Sequence, residues 1–182
     1  MNIPNALSLF RIILVPVFVA VFFSDTPHAY AIATAVFLAA GLTDVLDGRI
    51  ARKYGQITKL GRLLDPLADK LMVFAALICL AVRGLAPVWA VALYFGKEAV
   101  QGIGGLIFYR RMADVPQSNL LGKAGTFVFY LTVTAIILLD IPDTAKKIML
   151  ALSFALIFAA AVTYAVRAAR LLKQQDKKEK KQ

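Results

Sequence analysis

Cysteine is almost absent from this chain, and polar surface is scarce. One cysteine, Cys79, occurs in 182 residues, which excludes a disulfide framework and a thiolate metal site. The single histidine, His28, falls in a short stretch between apolar runs, where no chemistry is expected of it. The single tryptophan, Trp89, reads as an anchor at a membrane interface. Acidic residues are few: 11 Asp and Glu stand against 21 Lys and Arg, a net charge of +10. Hydrophobic residues make up 60% of the chain, and its mean hydropathy is +0.72. A soluble domain of this length carries more polar surface. A water-soluble globule is therefore excluded.

The apolar residues fall into runs of roughly 17–22, long enough to cross a hydrocarbon core of about 30 Å. Six spans are expected, near Leu7–Phe23, Tyr30–Leu46, Leu63–Val82, Pro87–Phe108, Ala124–Leu139 and Lys147–Val166. The first run continues straight into the others, so it reads as a span and not as a removable leader. Basic residues explain the charge. Arg49, Arg52, Lys53, Lys59 and Arg62 follow the second run, Arg110, Arg111 and Lys123 the fourth, and Arg167, Arg170 and Lys173 the last. The alternate loops hold only Arg83, Lys146 and Lys147. That asymmetry places both termini in the cytoplasm of a multi-pass cell-membrane protein and leaves no need for nucleic acid as a partner. Residues 1–170 are expected to form one all-α integral membrane domain. The basic tail 171–182 is expected to lack regular structure and to anchor the chain at the cytoplasmic face. Gly102, Gly104 and Gly105 suit close helix packing, and Ile141-Pro142-Asp143 reads as a turn.

Arg11, Asp44, Asp47, Asp65, Asp69, Lys70, Lys97 and Glu98 interrupt the spans. Ionisable groups there usually face a bundle interior or a wet cavity. All eight sit toward the cytoplasmic ends, so the six helices are expected to surround a polar cavity open to the cytoplasm.

The aspartates carry the chemistry. Asp44 and Asp47 are three apart and Asp65 and Asp69 four apart, so each pair shares a helix face. The two helices form an antiparallel hairpin turning near Lys53–Leu60, in which residues at equal depth have position numbers that add to a constant. The pairs Asp44 with Asp69 and Asp47 with Asp65 agree on that constant to one residue, about 1.5 Å of rise. Two rungs of carboxylates result. Two unit charges about 6 Å apart repel by roughly 3 kcal/mol at an effective dielectric of about 20. Hard cations relieve this, and an all-oxygen set selects Mg²⁺ or Mn²⁺. Four carboxylates suffice for two ions, the clamp used on both oxygens of a phosphoryl displacement. The bland alternative is two ordinary helix ends whose aspartates pair with Arg49, Arg52 and Arg62; one pair alone would favour it, but four in register do not. Nearby, Gly48 permits close approach of a phosphate, Ala51 keeps the face low, and Arg52 offers a planar fork. Gly61 is placed to open the second helix, leaving backbone N–H groups for an anion.

The string Asp44-x2-Asp47-Gly48-x2-Ala51-Arg52-x8-Gly61-x3-Asp65-x3-Asp69 resembles the signature of the CDP-alcohol phosphotransferase family position for position. The six-span layout is similar over nearly the whole chain, and the opening NIPNALSLFRIILVPV resembles that of its phosphatidylglycerophosphate synthase and cardiolipin synthase branches, the former more closely overall. The resemblance implies a homodimeric transferase acting on a CDP-linked lipid with two divalent metals. It implies that Asp44, Asp47, Asp65 and Asp69 surround the metals and that Asp47, Gly48, Ala51, Arg52 and Gly61 seat the CDP group. It also makes Asp69 the base that activates the acceptor hydroxyl. The synthases of the first branch carry Arg-Glu in span four and Gly-Lys-x-Lys-Thr before span five. This chain has Lys97-Glu98 and Gly122-Lys123-Ala124-Gly125-Thr126 there.

A phosphate-bearing acceptor needs cations beyond those that hold CDP. Lys97, Arg110, Lys123 and Arg167 are the candidates, with positive-inside anchoring as the competing explanation for the arginines. The expected reaction transfers a phosphatidyl group from CDP-diacylglycerol to glycerol 3-phosphate and releases CMP, with phosphatidylglycerol as the alternative acceptor. A divalent-cation transporter is the rival of another class. It is disfavoured because the outer halves of the spans are almost wholly apolar.

Overall fold

The computed structural model describes the backbone of residues 3–54, 61–111 and 120–179; side chains at 3, 4, 45–54, 62, 63, 65, 66, 103–111, 120, 123, 164 and 167–179 lie outside the description. Six α-helices and no strand occur among the described residues: α1 (Ile3–Phe22), α2 (Ala29–Tyr54), α3 (Gly61–Val82), α4 (Val88–Arg111), α5 (Leu120–Leu138) and α6 (Asp143–Glu179). Helices satisfy their own backbone polar groups, which hydrocarbon demands of any segment it surrounds. By length and composition, α1 over Asn5–Phe22 and α6 over Asp143–Thr163 are each apolar enough to cross a bilayer. Large apolar side chains face outward on other helices too: Val88, Phe95, Val100 and Phe127 are between 61% and 74% exposed. Exposure on that scale is costly in water.

The chain divides into two compact units, Met1–Val91 with Val133–Lys146, and Ala92–Thr132 with Lys147–Gln182. In the first, α1 packs on both α2 and α3, and α2 on α3. Phe18, Phe22 and Phe37 are fully buried there, with ring centroids 5.6 Å apart for Phe18 and Phe22 and 6.0 Å for Phe18 and Phe37. Gly84 ends α3 with φ +71°, a left-handed conformation that costs glycine nothing. Its N–H donates to the Ala81 carbonyl and that of Leu85 to the Leu80 carbonyl, at 3.0 and 2.8 Å. This Schellman closure satisfies carbonyls that the helix end leaves over.

In the second unit the Phe129 ring lies between Tyr94 and Phe154, at 6.1 and 5.9 Å. Thr132 and Ser153 share a buried hydroxyl hydrogen bond of 2.8 Å between α5 and α6, the polar link that helices use where hydrophobic association is weak.

Two local expectations are corrected. The tail was expected to be irregular, yet α6 continues through residues 171–179 to Glu179. A helix already nucleated propagates at little cost, and Lys, Gln and Glu are good helix formers. Gly102 is not at a close approach to any described residue, since a Cβ there meets none within 4 Å; the surroundings of Gly104 and Gly105 lie outside the description. The tight position is Gly125, where a Cβ would sit 3.3 Å from the Ile157 backbone nitrogen and from its Cγ1.

The contrast predicts opposite outcomes in thermal denaturation. Gly125→Leu lowers the midpoint, by about 1–3 kcal/mol of overpacking, because backbone cannot swing aside as a side-chain tip can. Gly102→Ala leaves it unchanged or raises it, by up to about 1 kcal/mol of helix propensity. Equal midpoints for the two variants would contradict this packing.

Candidate active site

The motif lies on two helices that touch. α2 extends eight residues past the expected span end at Leu46, to Tyr54, so Asp44, Asp47, Gly48, Ala51 and Arg52 all lie on one continuous helix. α3 starts at Gly61, which is buried, and carries Asp65 and Asp69. Ten residues of α2 follow Asp44 and eight of α3 precede Asp69. At 1.5 Å per residue these depths differ by about 3 Å, less than one helical turn.

Only two of the four carboxylates fall within the described side chains. Asp44 is 41% exposed on its side chain, and Asp69 is half-buried beside the fully buried Ala68. The side chains of Asp47, Ala51, Arg52 and Asp65 and the surroundings of Gly48 lie outside the description, and among the described residues no group of three or more metal-ligating side chains is assembled. The donor type nevertheless suits a hard divalent ion. Carboxylate oxygens are what such ions prefer, and an exposed edge on Asp44 leaves room for one.

The partner of Asp44 comes from an unexpected helix. The Arg11 guanidinium Nη1 donates to Asp44 Oδ1, across 33 residues of sequence. Arg11 is 1% exposed and is the largest fully buried side chain in the chain's described part. Asn5 and Ser8, at 8% and 0%, precede it on the same face of α1 at three-residue spacing. Sequence reasoning counted Arg11 among the interior polar residues but gave it no partner. The three-residue period of Asn5, Ser8 and Arg11 on an otherwise apolar helix was the available signal. Beside this pair, the Thr43 hydroxyl donates back to the Ala40 and Ala39 carbonyls, at 2.8 and 3.0 Å.

The candidate acceptor cations lie on α4, α5 and α6. Lys97 Nζ pairs with Glu98 Oε1 on its own helix, both side chains mostly buried. Its ammonium also sits 5.5 Å from the Tyr94 ring centroid, a favourable cation–π placement. Lys97 and Glu98 thus form a locally neutral pair. Arg110, Lys123 and Arg167 are helical in backbone, and their side chains lie outside the description.

A cleft among the described residues lies elsewhere. It measures about 480 Å³ and is lined by Ser24, Asp25, His28, Tyr30, Arg83 and Ile137 among others. Thirteen residues of α2, about 20 Å, separate its nearest lining residue on that helix, Ala31, from Asp44. Asp25 and Arg83 give it mixed charge, and the Arg83 guanidinium already covers the Phe23 ring at 5.1 Å. It has no motif residue and is not the site of the aspartate chemistry.

A family model described as CDP-alcohol phosphatidyltransferase matches residues 1–166. The chain is 36% identical over 154 residues to a Bacillus subtilis protein named CDP-diacylglycerol–glycerol-3-phosphate 3-phosphatidyltransferase, covering 78% of this chain and 79% of that one. It is 38% identical over 130 residues to a Streptomyces coelicolor cardiolipin synthase (CMP-forming), covering 70% and 60%. A Haemophilus influenzae protein with the same name as the Bacillus one is 51% identical over 77 residues, 42% of each chain.

Proposed function

This chain belongs to the CDP-alcohol phosphatidyltransferase family, and on that premise we propose that it transfers a phosphatidyl group from CDP-diacylglycerol to glycerol 3-phosphate. The observation that carries the reading is the intact eight-position aspartate motif inside a family match spanning residues 1–166. The Bacillus and Haemophilus relatives, named for that reaction, support the choice of acceptor.

In the proposed reaction the acceptor hydroxyl oxygen attacks the phosphorus that bears the diacylglycerol. A new P–O bond forms there as the pyrophosphate P–O bond breaks, and CMP leaves with the bonding electron pair. Asp69 takes the proton from the acceptor hydroxyl, general-base work worth about 10²–10⁴ in rate. Arg52 holds phosphate oxygens with its planar fork, while Gly48, Ala51 and Gly61 leave room for the nucleotide. Asp44, Asp47, Asp65 and Asp69 are the residues that would hold two Mg²⁺ or Mn²⁺ ions, which supply charge neutralisation for the pyrophosphate when bound. Lys97, Arg110, Lys123 and Arg167 are proposed for the acceptor phosphate. Lys97 would have to exchange its Glu98 contact to serve.

The membrane reading is proposed in the same terms: six spans from the six helices, a cytoplasm-facing polar cavity at the aspartates, and both termini cytoplasmic. Support comes from the outward apolar side chains and from the bias of Lys and Arg between alternate loops. A homodimer is proposed from the family resemblance.

A second reading has an observation of its own, the 38% identity to a cardiolipin synthase. One experiment separates the two: purified protein receives CDP-diacylglycerol with either glycerol 3-phosphate or phosphatidylglycerol, and the lipid product is identified by mass. Phosphatidylglycerophosphate and CMP are expected from the first acceptor. Cardiolipin from the second, with no product from the first, would overturn the choice.

A further inference from the structure

We infer that Arg11 is a positioning residue of the active site, a buried cation on α1 that clamps one oxygen of Asp44 and turns the rest of that carboxylate outward to a metal ion. The inference rests on the two-metal reading above and deepens it.

The observations concern a residue outside the motif, Arg11, and how it meets the motif's first aspartate. Arg11 and Asp44 pair across α1 and α2, and their exposures are opposite: 1% for the guanidinium side chain, 41% for the carboxylate. A pair kept for surface charge would expose both members. Here the cation is held behind and the anion in front, so a carboxylate with two oxygens has one occupied from inside and an edge open to a ligand. An arginine is suited to this because its fork is rigid and always charged, so the carboxylate gains a fixed direction as well as a partner. The helix around it is polar on the same side. Asn5 and Ser8 extend the buried polar face over the six residues, less than two turns, that precede Arg11, and α1 contacts both aspartate-bearing helices. Residues that orient a metal ligand from behind commonly tune its affinity without touching the ion.

Charge and position predict opposite signs, which makes the idea testable. By Coulomb's law alone, deleting a cation near a dication site tightens metal binding. If Arg11 orients Asp44, its deletion weakens binding instead. Mn²⁺ binding to the full-length protein in detergent, without substrate, is measured by electron paramagnetic resonance, alongside thermal denaturation. Arg11→Met, which keeps length and loses charge and fork, is expected to raise the Mn²⁺ dissociation constant about 10- to 100-fold. Arg11→Lys, which keeps the charge, is expected to fall between Arg11→Met and the unsubstituted protein. Unchanged or tighter Mn²⁺ binding in folded Arg11→Met overturns the inference, even if the thermal midpoint falls. Should Arg11→Met not fold, Arg11→Lys decides by the same rule, and loss of fold in both assigns Arg11 to structure alone and overturns it. If the unsubstituted protein binds no Mn²⁺, the two-metal reading and this inference fall together. Normal binding there and in the variants removes only the role of Arg11.

Discussion

Asp47→Asn and Asp65→Asn will each leave a folded protein whose CMP release from CDP-diacylglycerol falls by about a thousandfold or more. Each substitution removes an anionic oxygen from a set proposed to hold two divalent ions, and a metal used to neutralise a phosphoryl transfer supplies several kcal/mol. Roughly 4 kcal/mol is a thousandfold in rate. Asp44→Asn will lose the same activity and stability besides, because it also removes the carboxylate charge paired with the buried Arg11. Breaking a wholly buried pair costs about 3–5 kcal/mol. With the Asp44 side chain 41% exposed, the cost here is nearer 1–3 kcal/mol, the scale of leaving one buried donor unsatisfied. The measurement is initial rate against added Mg²⁺ or Mn²⁺, with a thermal midpoint for each variant. Robust turnover in excess chelator would end the two-metal account. Asp44→Asn as stable as Asp47→Asn would show that the Arg11 contact contributes little to the fold.

Asp69→Asn should separate chemistry from nucleotide binding. As the proposed base, Asp69 acts on the acceptor hydroxyl, so its loss reduces turnover by about 10²–10⁴ while CDP affinity changes far less. Arg52→Ala should do the reverse, weakening CDP binding by more than it slows the bound complex, because phosphate contact is made before reaction as well as during it. Calorimetry with CDP beside initial rates of transfer distinguishes the two. The contrast matters because Asp69 is proposed both to touch a metal and to take a proton, and a pure ligand would lose binding and rate together. Near-normal turnover in Asp69→Asn would remove it as the base.

Much of this chain is legible in one dimension because its signals are local. Six runs of apolar residues each became a helix, and Gly61 opens α3 where the motif spacing put a helix start. The boundaries moved where local signals stop being about lipid. α2 runs on to Tyr54 and α6 to Glu179, since a helix ends where its backbone hydrogen bonding ends, while a span ends where charge begins. The fourth span was expected from Pro87, and α4 begins one residue later at Val88, where the Ala90 N–H donates to the Pro87 carbonyl at 3.0 Å.

By itself the sequence determined the all-helical, strongly apolar character, the family and the spacing of Asp44, Asp47, Asp65 and Asp69, because hydropathy, motif spacing and helical periodicity follow from neighbours a few positions apart. It could not say which small residue lies at a helix contact. Gly102 and Gly125 look alike in a string, yet only Gly125 has the Ile157 backbone against it, and only packing supplies the other side of a contact. Nor could it say whose charge answers Asp44. Among the described residues it is Arg11, 33 positions away in sequence and on another helix, that pairs with it. That choice was left to the tertiary structure, because a buried guanidinium is retained only where helix packing delivers a carboxylate to it.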